Sequence, residues 1–288
     1  MDKNILFITM DCWSSYNSAT TANTFASLFK NYDSAHMASL YLREEIPTSK
    51  ECCLFFSIAE NSVLKSVFKP KTITGKLFRR DEMEITQNDI SNIEKTKERY
   101  RRLGVKRNRI LLFAREIMWL MGHWKSLELC EFLDDFKPDI IIYGMEGYCY
   151  FHRIVRYALK YTGATGIGFF WDDNFTYIQH KRTIGFLLHR CMQRRSLRKT
   201  VKRTKKFLAI SPKTKHEADK FFEIDCTIVT KPVDIIQEST REVYGEKIKI
   251  VYTGNLKIGR LDTLKAISEI LDEEKKLSDK ITFEIYSG

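Results

Sequence analysis

Apolar runs of strand length alternate with segments of helical periodicity along most of the chain, and this alternation constrains the fold more than any other feature. Residues Ile5 to Met10 predict a strand, Thr21 to Lys30 a helix and Met37 to Leu42 a second strand. The alternation resumes with a strand predicted for Ile140 to Tyr143. Strands that alternate with crossover helices indicate an α/β protein with a doubly wound parallel sheet. Such sheets bind ligands at the carboxyl ends of their strands.

The remaining elements continue this pattern. A mixed segment at 52–68 and a long helical region at 89–136 lie between the two halves. The later predicted elements are a helix at 150–161, a strand at 165–171, a helix at 185–201, a strand at 207–210, a helix at 212–222 and a strand at 226–230.

From Lys247 onward the sequence predicts a single β-α-β unit. Its strands are predicted at 248–252 and 281–286, with a helix at 261–271 between them. A parallel pair needs further strands and helices to cover both faces, and a unit of about 40 residues is too small for a core of its own. Either this unit docks on the first domain or the chain is a truncated form of a longer protein. The expected division is a domain at 1–230, a linker at 231–246 and an incomplete second domain at 247–288.

Composition limits the class of protein. The chain has 288 residues, of which 43% are hydrophobic and 30% charged, so it can bury a core. Its first apolar run is too short for a membrane span and lacks a signal peptide's cleavage pattern. The seven cysteines include no C-x-x-C pair, which fits neither a disulfide framework nor a zinc site. We therefore expect a protein of the reducing cytoplasm, with no metal site.

A hydroxyl-rich loop follows the first predicted strand and leads into a helix. Ser15, Asn17 and Ser18 belong to this loop, which covers residues 14–20. Hydroxyls and free N–H groups at a helix start bind phosphate or sugar groups well. Ser and Thr are also ordinary N-cap residues, and capping alone explains at least one of them.

Three carboxylates follow later strands at the same predicted edge of the sheet. Asp172 and Asp173 come directly after the strand predicted at 165–171, and Glu146 follows the one that ends at Tyr143. Because adjacent carboxylates repel each other, they must be solvated, hydrogen-bonded or engaged in a functional role. They predict either a functional role, which is recognition of a hydroxyl-bearing substrate or general acid–base catalysis, or an ordinary loop cap.

The last β-α-β unit carries Gly254, Asn255 and Arg260 between its first strand and its helix. This segment is neither a P-loop nor a G-x-G-x-x-G turn. A glycine lets backbone N–H groups approach a ligand, and the guanidinium of Arg260 suits phosphate.

These motifs, in this order, resemble glycosyltransferase family 4. The resemblance rests on Tyr252-Thr253-Gly254-Asn255-Leu256 with Gly259-Arg260-Leu261, on the Ser-ended strand 207–211 and on Thr230-Lys231-Pro232-Val233-Asp234. It also includes the first 56 residues, which are similar to the acceptor-side domain of polysaccharide-building members. The resemblance implies a GT-B fold, in which two Rossmann-like domains face a cleft. The second domain here would be incomplete.

The resemblance also implies an activity. Family members transfer a sugar from a nucleotide-sugar, with retention of configuration and without an essential metal, here to a lipid-linked or saccharide acceptor in surface polysaccharide synthesis. Gly254, Asn255, Arg260 and the loop of Ser15, Asn17 and Ser18 would bind the donor. The acceptor would contact Glu146, Asp172 and Asp173.

This sequence departs from the family pattern at three places. Asn255 stands where members commonly have an Arg, and Trp171-Asp172-Asp173 replaces a His-Asp, so no catalytic residue can be carried over. The family's paired glutamates would lie beyond Gly288, and we expect little transferase activity from this chain alone. Two alternatives stay open: a non-catalytic acceptor-domain subunit that needs a separate donor-binding partner, and an unrelated nucleotide-binding enzyme.

Positive charge is concentrated in one stretch. The net charge is +11, and residues 174–216 contain thirteen Lys or Arg and no Asp or Glu. Apolar residues recur there at helical spacing, which indicates either a basic amphipathic helix on an anionic membrane surface or a core-facing stripe with a solvated back. The predicted membrane-facing residues are Arg190, Arg194, Arg195, Arg198 and Lys199. Because no nucleic-acid module is visible, the sequence favours peripheral attachment to the inner face of the membrane over nucleic-acid binding.

Overall fold

The computed structural model describes residues 2–13, 21–43, 45–82, 109–176, 183–231, 247–254, 256 and 260–287. The chain divides into two compact units, Met1–Val233 and Asp234–Gly288. Within the described ranges, no helix is both long and apolar enough to cross a bilayer.

The first unit is built on an eight-stranded sheet. Its strands are β1 (Ile5–Thr9), β2 (Met37–Tyr41), β3 (Leu54–Ile58), β4 (Gly75–Arg79), β5 (Ile140–Gly144), β6 (Thr165–Phe170), β7 (Lys206–Ala209) and β8 (Cys226–Ile228). Their order in space is β4-β3-β2-β1-β5-β6-β7-β8. All pairs are parallel except β3 with β4, which is antiparallel.

Seven α-helices of the first unit lie in the described residues. They are α1 (Thr21–Leu28), α2 (Glu60–Phe68), α3 (Arg109–Met121), α4 (Leu127–Phe136), α5 (Cys149–Thr162), α6 (Ile184–Val201) and α7 (Pro212–Phe222). Serine side chains cap the starts of two of them. Ser126 accepts the N–H of Leu129 at the start of α4, and Ser211 accepts that of Thr214 at the start of α7.

The two faces of the sheet bury separate apolar clusters. Leu6 and Ile8 of β1 enter the cluster on one face, and Phe7 enters the cluster on the other, because successive strand residues point to opposite sides. Residues of α2 to α7 complete the first cluster, whereas Phe25 of α1 packs in the second. Helices on both faces explain why β1 and β2 are buried throughout and mostly apolar rather than alternating. The predicted α/β class with a doubly wound sheet is confirmed.

The strand order reverses next to β1. Ile5 lies opposite Met37 of β2 on one side and opposite Ile140 of β5 on the other. The chain runs outward from β1 to β4 and then returns to continue from β5 to β8. The boundary between β1 and β5 is therefore the topological switch point, where the carboxyl ends of the strands leave a crevice.

The second unit contains two parallel strands and two helices in its described residues. These are β9 (Ile248–Thr253), α8 (Arg260–Glu273), α9 (Lys275–Ser278) and β10 (Ile281–Tyr286). Ile248 lies opposite Ile281. Among the described residues of this unit, only Leu264 is buried, and Ile248 is 66% exposed. The described elements of this unit cannot cover both faces of a two-stranded sheet, so apolar side chains of its strands stay exposed.

Candidate functional site

The carboxyl ends of the central strands carry polar side chains around the switch point. Asp11 follows β1, Arg43 follows β2, Glu146 follows β5 and Asp172 follows β6. Because these strands are parallel, all four positions lie along one edge of the sheet. We call this edge, with the turns that leave it, the carboxyl-edge site.

An ion pair joins the ends of β1 and β2. Nη1 of Arg43 lies 2.5 Å from Oδ1 of Asp11, and the side chains are 37% and 19% exposed. The hydroxyl of Thr9 donates to the carbonyl of Asp11 over 2.7 Å, which fixes the backbone beside the carboxylate. Sequence reasoning missed this pair, although an acid directly after a buried strand is itself a signal.

Glu45 holds the chain after β1 in place. Its carboxylate accepts the N–H of Cys12 over 3.3 Å, and its carbonyl accepts the hydroxyl of Tyr41 over 2.6 Å. Burial raises the pKa of Tyr41 well above its usual value, so this phenol stays a neutral donor. The segment that enters the loop of Ser15, Asn17 and Ser18 therefore starts from a rigid position. Those three residues lie outside the described ranges.

Gly144 and Gly147 have no side chains, which lets neighbouring side chains pack closely against the turn between β5 and α5. A Cβ at Gly144 would lie 2.7 Å from Nε1 of Trp171 and 2.8 Å from Oε1 of Glu146. A Cβ at Gly147 would lie 2.8 Å from Nε2 of Gln193. These contacts place the Glu146 carboxylate and the Trp171 indole together at the switch point. Among the described residues, the buried Nε1 of Trp171 has no hydrogen-bond partner.

A buried histidine supports the same turn. Nε2 of His152 lies 2.7 Å from the carbonyl of Glu146, which can only accept, so this nitrogen carries the proton. Burial lowers the pKa of His152 to about 4 and keeps the ring neutral. His152 therefore positions the backbone of Glu146 and carries no charge near neutral pH.

An internal carboxylate occupies the start of α5. Glu116, which is 5% exposed, accepts the N–H groups of Cys149 and Tyr150 over 2.7 and 2.9 Å. Burial raises the pKa of Glu116, although both hydrogen bonds oppose that shift. The helix start next to the switch point, where a phosphate would ordinarily bind, is thus already filled by a side chain of α3.

The two predicted aspartates after β6 have different environments. Oδ1 of Asp173 accepts the N–H groups of Phe175 and Thr176 over 3.1 and 2.8 Å, and Oδ2 accepts the hydroxyl of Thr176. These bonds make Asp173 a cap of its own turn, the second of the two roles that the sequence allowed. Of the other predicted acceptor residues, Glu146 is half-buried on the turn after β5, and Asp172 is exposed at the end of β6.

Two of the predicted membrane-facing arginines point inward, which corrects that part of the prediction. Arg190 and Arg194 are 5% and 6% exposed. Arg190 donates to the carbonyl of Asn174, and Nε of Arg194 donates to that of Phe175 over 2.7 Å. The turn after β6 has carbonyls that need donors once buried, and α6 supplies them.

Arg195, Arg198 and Lys199 are exposed, as the prediction requires. Arg198 lies over the ring of Phe221 at 5.0 Å. The apolar residues of α6 are also exposed: Ile184 by 79%, Leu187 by 46%, Leu188 by 57% and Met192 by 43%. Most of the buried residues of this helix are therefore polar, and its exposed face combines apolar residues with cations, unlike a usual surface helix.

In the second unit, Gly254 and Arg260 flank the turn after β9. Gly254 has a φ of 154°, which side-chain-bearing residues rarely adopt, and its N–H donates to the carbonyl of Tyr286 over 3.0 Å. Arg260 is the first residue of α8 and is exposed. Asn255 lies outside the described ranges.

One group of side chains in the described ranges has a spacing that could suit a metal ion. The ligand atoms of Asp2, Asp33 and His36 all lie within 4.8 Å of one another, near the amino ends of β1 and β2. Asp33 accepts the N–H of Ala35, and Nδ1 of His36 lies 2.7 Å from Oδ1 of Asn4. Asp33 and His36 thus already have hydrogen-bond partners within the chain.

No protein-family model matches the chain, and no curated protein matches it. One solved structure that matches is alpha,alpha-trehalose 6-phosphate synthase from Burkholderia multivorans, with 10% sequence identity and a TM-score of 0.47. The match covers 99% of this chain but only 65% of that protein. A similarity of this strength says nothing about the substrate or the reaction of this chain.

Proposed function

We propose that the chain is a glycosyltransferase of the family 4 type, or the acceptor-side part of one, which works with a nucleotide-sugar and a lipid-linked or saccharide acceptor. The observation that carries the proposal is the pairing of the Glu146 carboxylate with the Trp171 indole at the switch point of the sheet. A carboxylate can orient or deprotonate an acceptor hydroxyl. The ring of Trp171 already stacks on Phe169 at 3.7 Å, but its indole N–H has no partner among the described residues and can donate to a sugar oxygen.

The surroundings of Glu146 support this role. His152 fixes its backbone, and Asp172 lies exposed at the end of the neighbouring strand. Carboxylates on a rigid turn can hold several hydroxyls of one sugar at once, which is the recognition task of an acceptor domain.

The second unit supports a donor-binding role for Gly254 and Arg260, together with Asn255. A cation at the first residue of a helix lies at the positive end of the helix dipole, where it is unfavourable unless an anion binds. Arg260 is in this position and is exposed, and Gly254 has a backbone conformation that favours glycine. A diphosphate would neutralise the guanidinium and is favoured by the positive end of the α8 dipole. Retention of configuration and independence of a metal follow from the family resemblance alone.

The donor role is tested by isothermal titration of the full chain with UDP-glucose, UDP-N-acetylglucosamine and GDP-mannose. We expect weak binding of at least one of them, because a single guanidinium replaces two cations, and we expect Arg260→Ala to abolish it. Lys265→Ala, at an exposed position of the same helix, is the matched control. Binding that survives Arg260→Ala unchanged would remove Arg260 from the donor site.

A second candidate function is supported by the exposed apolar side chains of β9 and β10. Ile248, Ile250, Val251 and Ile285 are 66%, 42%, 47% and 44% exposed. Such a surface favours a binding subunit that a separate donor-binding partner completes. Recovery of a stable complex with a second protein that restores nucleotide-sugar binding would distinguish this candidate from a chain that binds the donor alone.

Peripheral attachment to an anionic membrane belongs to the same proposal. The exposed face of α6 combines Leu187, Leu188 and Met192 with Arg195 and Lys199. Each cation near an anionic bilayer contributes about 1 kcal/mol, so the three exposed cations of α6 give about 3 kcal/mol, to which the apolar residues add.

Flotation with phosphatidylglycerol vesicles tests this attachment. Leu187→Glu with Leu188→Glu should release the protein, whereas Glu217→Gln on α7 should leave it bound. Equal binding to neutral vesicles would exclude an electrostatic contribution.

A further inference from the structure

A groove with a strongly positive lining lies on the helical layer of the first unit. It has a volume of about 630 Å³, and its lining includes Lys125, Arg153, Arg156, Lys160 and Arg203. Two tyrosines complete the lining, and it contains no acidic residue. These residues come from the loop before α4, the outer stripe of α5 and the turn after α6, so the fold brings together cations that lie far apart in sequence.

Two nearby carboxylates offset the positive charge of the groove only in part: Glu116 interacts electrostatically with Arg153, and Asp134 accepts the hydroxyl of the lining residue Tyr161. Within the described part of the chain, none of the five cations has a carboxylate within ion-pairing distance. Burial and the neighbouring charges of Arg153 and Arg203 lower the pKa of Arg156, as expected where like charges crowd together. A bound anion would relieve this repulsion.

The groove is preorganised rather than a loose charged surface. Nη1 of Arg156 donates to the carbonyl of Ser196 over 3.0 Å and to the hydroxyl of Thr200 over 2.8 Å, which fixes its guanidinium against α6. Nη1 of Arg153 donates to the carbonyl of Trp119 over 3.2 Å. Each guanidinium keeps further N–H donors, which can bind a phosphate.

Two stacked tyrosines form the apolar part of the groove. The rings of Tyr157 and Tyr161 lie 5.7 Å apart, and the ammonium of Lys125 lies 5.4 Å from the Tyr157 ring. Their hydroxyls contact Cys130 and Asp134, which anchors both rings. The cation–π contact with Tyr157 in turn holds the ammonium of Lys125 beside the two rings.

We propose that this groove, which we call the basic groove, binds a compact ligand that carries two or more phosphate groups. One phosphate would neutralise only part of five positive charges and would leave most of a groove of about 630 Å³ empty. The volume lies in the range of sites for small ligands. The same chemistry is present in soluble polyphosphates and in multiply phosphorylated lipid headgroups. The proposal does not depend on the transferase function.

The test measures binding of inorganic tripolyphosphate to the full chain by isothermal titration, at low and at physiological salt. The test variant is Lys160→Glu with Arg203→Glu; both residues are exposed. The control is Lys65→Glu with Lys71→Glu, two exposed residues elsewhere in the same unit that give the same change of net charge. We expect the test variant to weaken binding by about 10-fold or more and the control by less than about 3-fold.

Vesicles that contain a bisphosphorylated inositol lipid form the second arm. Binding to these vesicles but not to tripolyphosphate, with the same sensitivity to the test variant, would assign the phosphates to a lipid headgroup. Three results would overturn the proposal: an equal loss in the control, equal affinity for orthophosphate and tripolyphosphate, or tighter groove-dependent binding of a single-stranded oligonucleotide. Unchanged tryptophan fluorescence shows that each variant remains folded.

Discussion

Acidification should destabilise the first unit through His152. Burial lowers the pKa of this imidazole from its ordinary 6.5 to about 4. The unfolded chain takes up a proton below pH 6.5, whereas the folded chain resists protonation until about pH 4. The contribution of a neutral His152 is therefore complete above pH 6.5 and is lost progressively as the pH falls towards 4.

The expected magnitude follows from that shift. One pKa unit corresponds to about 1.4 kcal/mol, so the full shift is worth about 3 kcal/mol. Between pH 7.5 and pH 5, most of the unfolded molecules but few of the folded ones become protonated. The free energy of unfolding should then fall by about 2 kcal/mol through this residue alone.

Urea denaturation of wild type and His152→Gln at pH 7.5 and pH 5 isolates this contribution. All four tryptophans of the sequence lie in the first unit, so their fluorescence reports its unfolding specifically. Gln can still donate to the Glu146 carbonyl but does not titrate. The variant should lose about 2 kcal/mol less than wild type on acidification, whatever its stability at pH 7.5. His216→Gln, on the exposed face of α7, controls for the substitution itself.

An identical pH dependence in wild type and His152→Gln would refute the reasoning. It would mean that the folded protein accepts a proton at His152 as readily as the unfolded chain. A smaller difference confined to pH below 4.5 would likewise contradict a buried, neutral ring.

Two further changes test contacts that position the carboxyl-edge site. Glu116→Ala removes the acceptor for the N–H groups of Cys149 and Tyr150, and it should lower the free energy of unfolding by about 2 to 3 kcal/mol; a loss below about 0.5 kcal/mol in urea would mean that water replaces the carboxylate. Arg194→Met should cost about 1 to 3 kcal/mol, because the carbonyl of Phe175 loses its donor, whereas the same change at exposed Arg195 should be nearly neutral. Thermal unfolding checks this pair, and equal effects at both positions would contradict the burial of Arg194.

Sequence periodicity was sufficient to predict the positions of the central strands and of most helices. The strands β1, β2 and β5 are apolar because both of their faces are buried, and such runs stand out without any knowledge of partners. The antiparallel pairing of β4 was not predictable in this way. Its residues are mostly exposed, and a connection through a helix ordinarily joins parallel strands, so nothing local indicates the antiparallel direction of β4.

The candidate site was predicted in part. Carboxylates after parallel strands were expected at one edge, and Glu146 and Asp172 lie there. The capping role of Asp173 depends on the conformation of the turn after β6, which no spacing rule specifies. The prediction for α6 mistook two buried arginines for surface cations because helical spacing does not show that the turn after β6 presents carbonyls to Arg190 and Arg194.

The amino-acid sequence by itself determined the class of fold, because the apolar residues of a central strand show that the strand is buried. It also determined the excess of positive charge. Only the tertiary structure decided where that charge acts. Arg194 turned inward because the carbonyl of Phe175 needed a donor, and the basic groove formed because Lys125, Lys160 and Arg203 converge from three separate elements. Contacts between residues distant along the chain leave no local pattern, so these features depend on packing alone.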